Sequence, residues 1–263
     1  MNDILNLICD KKKSQIEESK KRYSFKTLEK LIGDQENRQF KELLIESQIK
    51  NKNNIIAEIK KASPSAGIII DEYFPEKIAV DYEQGGVGAI SILTESFYFK
   101  GELEHLSIIS KNSKIPILRK DFIIDAYQIL ESKVFNADAI LLIVSILNDN
   151  EIKEFIKIAE SYKLDCLIET HSEEEIKRAL NIGYPIIGIN NRNLKNLSVD
   201  IKNSLNLIKK IPKEFTVIAE SGIKSNNEIN IYNNEGIFNF LIGESILKSK
   251  NIKQKISDLT NPK

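Results

Sequence analysis

Residues 139–190 read AILLIVSILNDNEIKEFIKIAESYKLDCLIETHSEEEIKRALNIGYPIIGIN. Three short apolar runs stand in this stretch, AILLIVS (139–145), CLIET (166–170) and IIGIN (186–190), separated by longer charged segments. In EIKEFIKIAESY (151–162) the apolar residues recur every three or four positions, the spacing of one face of a helix. The most apolar run, Ala139 to Leu147, has about half of the ~20 residues needed to span a bilayer, so it reads as a buried strand. Strand, helix, strand, helix, strand is the unit from which parallel sheets are made.

The same alternation extends in both directions. IIAEIK (55–60), AISILT (89–94) and PILRK (116–120) precede the stretch, and TVIAES (216–221) and FLIGES (240–245) follow it. Amphipathic segments such as AYQILESKVF (126–135) lie between them. Eight strands, seven intervening helices and a final helical SILKSK (245–250) make the count of a closed (β/α)8 TIM barrel, in which no sheet edge is left over. The competing arrangement is a doubly wound open sheet, which gathers its functional residues at one switch point. Here almost every run ends in a polar or charged residue, the position where barrels build their sites. The expected fold class is therefore α/β, a (β/α)8 barrel forming one domain over residues 1–263. Within it, residues 1–50 form an N-terminal helical extension, read from LNLICDKKKSQIEESKKRY and FKTLEKLI. That extension is either exposed or packed across the barrel to help cover the site. Beyond Leu247 only a polar tail is expected.

Composition narrows the partner. The 38 basic and 38 acidic residues cancel, which disfavours non-specific attraction to nucleic acid or to an anionic membrane and points to a small molecule. The start Met1-Asn2-Asp3 lacks a basic region and charge returns by Asp10-Lys11-Lys12-Lys13, too soon for a secretory signal, so a cytoplasmic location is expected. Cys9 and Cys166 are far apart and belong to no metal or disulfide pattern. His105 and His171 have no second imidazole or thiol at ligand spacing and are expected to be ordinary surface or packing residues. No metal or dinucleotide motif appears, so neither a metal nor a cofactor is expected.

Chemistry gathers at the strand ends. Glu58 and Lys60 are two apart and share one side of their strand. An acid and a base in a barrel mouth need a partner or a ligand; the alternative is a surface salt bridge. Ser63-Pro64-Ser65-Ala66-Gly67 is a turn that can receive an oxyanion. Of Arg119 and Lys120 only one can face inward, and Lys120 is favoured; desolvated there, it is expected to have a lowered pKa and to serve as a general acid. Glu169 ends a strand of Cys166, Leu167 and Ile168 and suits a general base. Asn190 and Arg192 supply amide and guanidinium donors. Glu220-Ser221-Gly222 and Ile242-Gly243-Glu244 put glycine-flanked amides where barrels frequently hold phosphate.

Seven segments, in order, resemble the indole-3-glycerol phosphate synthase family: IIAEIKKASPSAG, SFYFKG, PILRKDFIIDAYQI, ADAILLIVSIL, GINNRNL, VIAESGI and FLIGES. The resemblance covers nearly the whole length. It implies a phosphorylated substrate, 1-(2-carboxyphenylamino)-1-deoxyribulose 5-phosphate, closed to indole-3-glycerol phosphate with loss of CO2 and water, and it implies neither cofactor nor metal. By motif, Lys120 resembles the acid that protonates the ribulose carbonyl oxygen, Lys60 paired with Glu58 the group that assists dehydration, and Glu169 the base that removes a proton. Asn190 and Arg192 resemble contacts to the sugar hydroxyls and the departing carboxylate, and Glu220 a further hydroxyl contact. Ser63, Lys60 and the amides around Ser221, Gly222 and Gly243 are implied to hold phosphate. Pro64, Phe99, Phe122, Leu141 and Leu197 are implied to enclose the anthranilate ring.

Two residues depart from the pattern: Ala66 stands where many relatives carry lysine, and Glu244 where some carry serine. A phosphoribosylanthranilate isomerase-like barrel is a rival, but it needs a Cys/Asp pair and no cysteine ends a strand here. A barrel that has lost catalysis and only binds a phosphorylated ligand is the other rival. It gains nothing from keeping Glu58, Lys60, Lys120 and Glu169 together. A monofunctional protein acting as a monomer is expected.

Overall fold

A computed structural model describes residues 4–193 and 197–261. Leu194, the last residue of the GINNRNL motif, and the first three residues of the N-terminal extension lie outside the described residues. Among the described residues, eight parallel strands close into a barrel. They are β1 (Asn54–Ile59), β2 (Ala89–Leu93), β3 (Ile117–Lys120), β4 (Ala139–Ile143), β5 (Asp165–Thr170), β6 (Ile186–Asn190), β7 (Thr216–Glu220) and β8 (Asn239–Ile242). Each strand pairs with its sequence neighbours, and β1 pairs with β8 at the seam, where Ala57 stands opposite Ile242. Every expected run is a strand, with ends moved by one to three residues. AILLIVS stops pairing at Ile143 because Val144–Ile146 winds into a 3-10 turn.

The strands are buried almost without interruption, the mark of a parallel sheet covered on both faces. Helices carry that cover. Between β4 and β5, helix Asp149–Ser161 buries Ile152, Phe155, Ile156 and Ala159 on one stripe. Its start is set by Asn148, whose side chain accepts from the N–H groups of Asn150 and Glu151 while Glu151 returns the bond. Reciprocal caps of this kind, repeated at Asp125/Gln128 and Ser225/Glu228, contribute about 1 kcal/mol each and fix where each loop ends.

The chain end differs from the sequence expectation. The segment 245–250 contributes only part of a single turn, Glu244–Leu247, and the expected polar tail contains helix Ile252–Thr260. That helix buries Ile256 and Leu259 against the helix Pro75–Gly85, and a methyl group on Gly85 would meet Ile256 at 2.9 Å. Its lysines, glutamine and aspartate hid the apolar stripe of Ile252, Ile256 and Leu259.

The N-terminal extension takes up both ends of the barrel. Helix Phe40–Ile49 closes the end where strands begin: Phe40 and Leu44 are fully buried, and Asn239 at the start of β8 donates to the Leu44 carbonyl (3.0 Å). Just before this helix, Arg38 donates to Asp138 through both its backbone and its guanidinium (2.9 and 2.7 Å). Helix Ile4–Arg22 lies instead over the loops that follow β2 and β3. Its Lys12 is buried against Asp121 (2.9 Å), its Gln15 donates to Ser96 (2.8 Å) and its Lys20 pairs with Asp125 (2.7 Å).

Candidate active site

A cavity of about 750 Å³ opens at the ends of the barrel strands. Its walls include Glu58, Lys60, Lys120, Glu169, Asn190 and Glu220, one strand end after another. The strand alternation that places Glu58 and Lys60 together also brings them into a hydrogen-bonded ion pair. At β3 the two adjacent bases part. Lys120 enters the cavity, while Arg119 turns outward to donate to the Gln128 carbonyl (2.8 Å) and Ser132 (3.1 Å) and to pair with Asp121 (3.0 Å).

Asp121 anchors this corner. It is buried, accepts from Thr94 (2.6 Å) and meets both Lys12 and Arg119. Burial favours its neutral form, but those two cations hold its carboxyl well below the usual range, so it stays charged. Lys120 therefore leaves a backbone fixed on its far side by a helix that contributes no residue to the cavity lining.

Inside the cavity Lys120 donates to Glu169 (3.1 Å) and stands 3.9 Å from Glu220. The expected lowering of the Lys120 pKa is overturned. Burial does push it down, but Glu169, Glu220 and Glu58 push it up by more, and the amine is a firmly held ammonium. The two buried glutamates split. Burial raises both, yet Lys120 and His171 hold Glu169 below the usual range, while burial and the Glu169 charge raise Glu220 well above it. Glu220 is thus the protonated member of the pair, and its carboxyl hydrogen-bonds the Glu169 carboxylate. Gly188 on β6 makes room for it: a methyl group there would sit 2.2 Å from Glu220 Oε1.

His171 corrects the expectation of an ordinary packing residue. Its Nε2 lies 3.3 Å from Glu169 Oε1 and its Nδ1 3.3 Å from Glu175. The signal was present in the sequence, since His171 follows Glu169 by two, the spacing that joined Glu58 to Lys60.

One wall is apolar. Phe99 and Phe122 stand 6.3 Å apart at 39°, with Leu93, Leu141 and Ile143 beside them. Phe99 is held by a residue that sequence reasoning missed: the buried Glu95 accepts from the N–H groups of Phe97, Tyr98 and Phe99 at 2.7 to 3.0 Å and folds SFYFKG into the mouth.

Opposite lies a corner of backbone and lysine. Ser221 (φ 66°) and Gly222 (φ 78°) are consecutive left-handed residues, braced by Asn191, which donates to the Ser221 carbonyl (2.7 Å). Gly243 faces them, and Lys202 and Lys224 also line this part of the cavity. Glu244, on the lining as well, is held by Lys248 (2.6 Å), whose hydrogen bond lowers its pKa. It adds a negative charge at this corner.

Three expected residues are not part of the lining. Ser63 is buried in a small hairpin (Ala62–Ser63 with Gly67–Ile68), its hydroxyl accepting from Ala66 N–H (3.2 Å), and Pro64 lies in its turn. Leu197 has a left-handed backbone and receives Arg192 on its carbonyl (3.1 Å). Arg192 itself lines the cavity and also donates to Ser65 (3.0 Å), tying the loop after β1 to the loop after β6.

The glycine at 243 makes the corner testable. A methyl group there would meet Glu58 Oε1 at 2.7 Å and Lys60 Nζ at 3.3 Å, both of them side-chain ends that can shift. Gly243→Ala is expected to lower kcat/KM on the order of 10- to 100-fold by displacing that pair, with melting temperature nearly unchanged. An unaltered kcat/KM would show that the pair yields without cost.

The family model described as indole-3-glycerol phosphate synthase matches residues 5–259. A curated indole-3-glycerol phosphate synthase of Endomicrobium trichonymphae is 43% identical over 97% of this chain and 99% of its own length. That of Thermoanaerobacter pseudethanolicus is 45% identical over 97% and 96%. Among solved structures, KGPDC from Streptococcus mutans matches with a TM-score of 0.61 at 16% identity, over 79% of this chain and 95% of that one. The N-acetylmannosamine-6-phosphate 2-epimerase from Clostridium perfringens gives 0.60 at 17%, over 86% and 100%. These two likenesses establish the barrel fold.

Proposed function

The chain belongs to the indole-3-glycerol phosphate synthase family, and from that membership we propose how its own residues carry out the family's reaction. The activity is that of a carboxy-lyase of tryptophan biosynthesis, forming indole-3-glycerol phosphate; the reading of an inactive binding barrel is not favoured. The substrate is 1-(2-carboxyphenylamino)-1-deoxyribulose 5-phosphate.

The observation that carries the assignment of roles is the Lys120–Glu169 pair beside a neutral Glu220. A buried ammonium is a fixed donor for the ribulose carbonyl oxygen, giving up its proton as the ring carbon bearing the carboxylate attacks. The new C–C bond forms, CO2 leaves with the aromatic ring's electrons restored, and the former carbonyl oxygen is now a hydroxyl. Lys60, paired with Glu58, gives the proton on which that hydroxyl departs as water. Glu169 accepts the proton released as the indole double bond forms. Two protons are given and one is taken, so each turnover takes up one proton from solvent.

Binding follows the walls. Phe99, Phe122 and Leu141 enclose the anthranilate ring, and the dry wall strengthens the charges beside it. Asn190 and Arg192 hold the sugar hydroxyls and the departing carboxylate, and Glu220, able both to donate and to accept, meets a hydroxyl. The phosphate lies on the amides of Ser221, Gly222 and Gly243, with Lys60 completing its charge. Pro64 and Leu197 are given to the ring and Ser63 to the phosphate by motif alone, since all three stand outside the cavity lining.

One barrel domain suffices for this, and we place it in the cytoplasm as a monomer that needs neither metal nor cofactor. In support of the domain and the location, the cavity is lined by the strand ends and loops of the one barrel, and among the described residues no helix is long and apolar enough to cross a membrane. The test is an assay of chelator-treated protein with the substrate, following indole fluorescence. Product at an enzymatic rate upholds both the chemistry and the metal independence. Folded protein that binds the substrate without turning it over restores the binding-barrel reading.

A further inference from the structure

The assigned roles leave an electrostatic difficulty at Glu169. In the resting site Lys120 neutralises this buried carboxylate through Oε2. To serve the substrate, the ammonium must turn its donors toward the carbonyl oxygen. A buried carboxylate losing its partner beside a second glutamate takes up a proton, and a protonated Glu169 is no base.

The residue that resolves this stands behind Glu169. Its other oxygen, Oε1, lies 3.3 Å from His171 Nε2, an ion pair rather than an aligned hydrogen bond. His171 does not line the cavity, so it touches Glu169 and not the ligand. It is held from the opposite side by Glu175, whose carboxylate accepts the His171 backbone N–H (2.8 Å) and stands 3.3 Å from Nδ1. Glu175 is in turn fixed in the first turn of helix Glu173–Ile182, where its own N–H donates to Ser172 (3.2 Å).

We propose that His171 is a positioning residue: as an imidazolium clamped between Glu175 and Glu169, it keeps Glu169 ionised and oriented while Lys120 is engaged with the substrate. This rests on the reading of Glu169 as the base. The charged groups around the pair agree with it. Facing Glu169 are Lys120 from β3 and the neutral Glu220 from β7; facing His171 are Glu169 from the strand end just before it and Glu175 from the helix that follows. Burial favours a neutral ring, but the two carboxylates outweigh it and push His171 up to about 9. The ring is therefore charged at neutral pH.

The experiment compares kcat against pH for wild type, His171→Asn and His171→Lys, with KM and melting temperature alongside. Without the cation Glu169 protonates more readily, so the acid limb of kcat in His171→Asn moves to higher pH by about 1 to 3 units, with KM changed less than about threefold. His171→Lys restores a cation and brings the limb back toward its wild-type position. A limb that stays in place, or a fall of equal size at every pH, overturns the proposal and leaves His171 as packing. Should the asparagine variant fail to fold, nitrogen-15 spectra of the two histidine rings in the wild-type protein decide. His105, lowered by burial, is neutral near pH 7.5, and the proposal requires the other ring to be an imidazolium there; a neutral ring overturns it. Glu169→Gln with full activity would remove the base reading itself, whereas the wild-type ring spectra test the charge of His171 independently of that reading.

Discussion

Lys120→Met is expected to leave a folded protein that binds the substrate and does not close the ring. Loss of a positioned general acid alone lowers turnover about 10²- to 10⁴-fold. Here the loss goes further, because Lys120 is also the leading favourable charge on Glu169. With methionine in its place, Glu169 and Glu220 face each other with one cation fewer, and Glu169 is drawn toward its protonated form. Acid and base fail together. Binding survives because the apolar wall and the phosphate corner do not depend on Lys120. The check is single-turnover indole formation beside a dissociation constant measured by equilibrium titration. A turnover within tenfold of wild type would move the acid role to Lys60, the other lysine proposed to donate a proton.

Glu169→Gln keeps the shape of the side chain and removes its charge, and a loss of about 10²- to 10⁴-fold in kcat is expected. A second signature separates this from simple disruption. Glu169 raises both Lys120 and His171, so its removal lowers both. Whatever activity remains should then fall away at lower pH on the alkaline side than in wild type, as Lys120 loses its proton earlier. Activity at the full wild-type rate would place the base elsewhere.

The barrel could be read from periodicity because parallel strands are buried on both faces and leave uninterrupted apolar runs such as AILLI and CLI. What stayed hidden depended on other kinds of information. Helix Ile252–Thr260 was masked by lysines and a glutamine whose outward face carries most of its composition. The direction of the Lys120 shift depends on three carboxylates brought from strands 1, 5 and 7, which only the closed ring places together. Burial alone, which the sequence does suggest, predicts the opposite sign. His171 is hidden for a different reason: metal-ligand spacing says nothing of it, and only its alternation with Glu169 does. Glu95 gives no sequence signal, because its three bonds go to backbone groups.

The seam between β1 and β8 also sets an order of events during synthesis. Asn54 and Asn239 meet there through a side-chain hydrogen bond (3.0 Å), so nearly the whole polypeptide must be made before the ring can shut. Until then the nascent chain has two open edges, and the pairing that removes them spans the longest separation of any strand pairing among the described residues, which makes closure slow and its precursors adhesive. Glu58 and Lys60 belong to the first strand, whereas Gly243, against which they pack, comes just after the last. The corner proposed to hold phosphate is therefore completed only once strand 8 is in place, and a chain cut short before it has the lysines and glutamates proposed for the reaction without the Gly243 backbone they pack against.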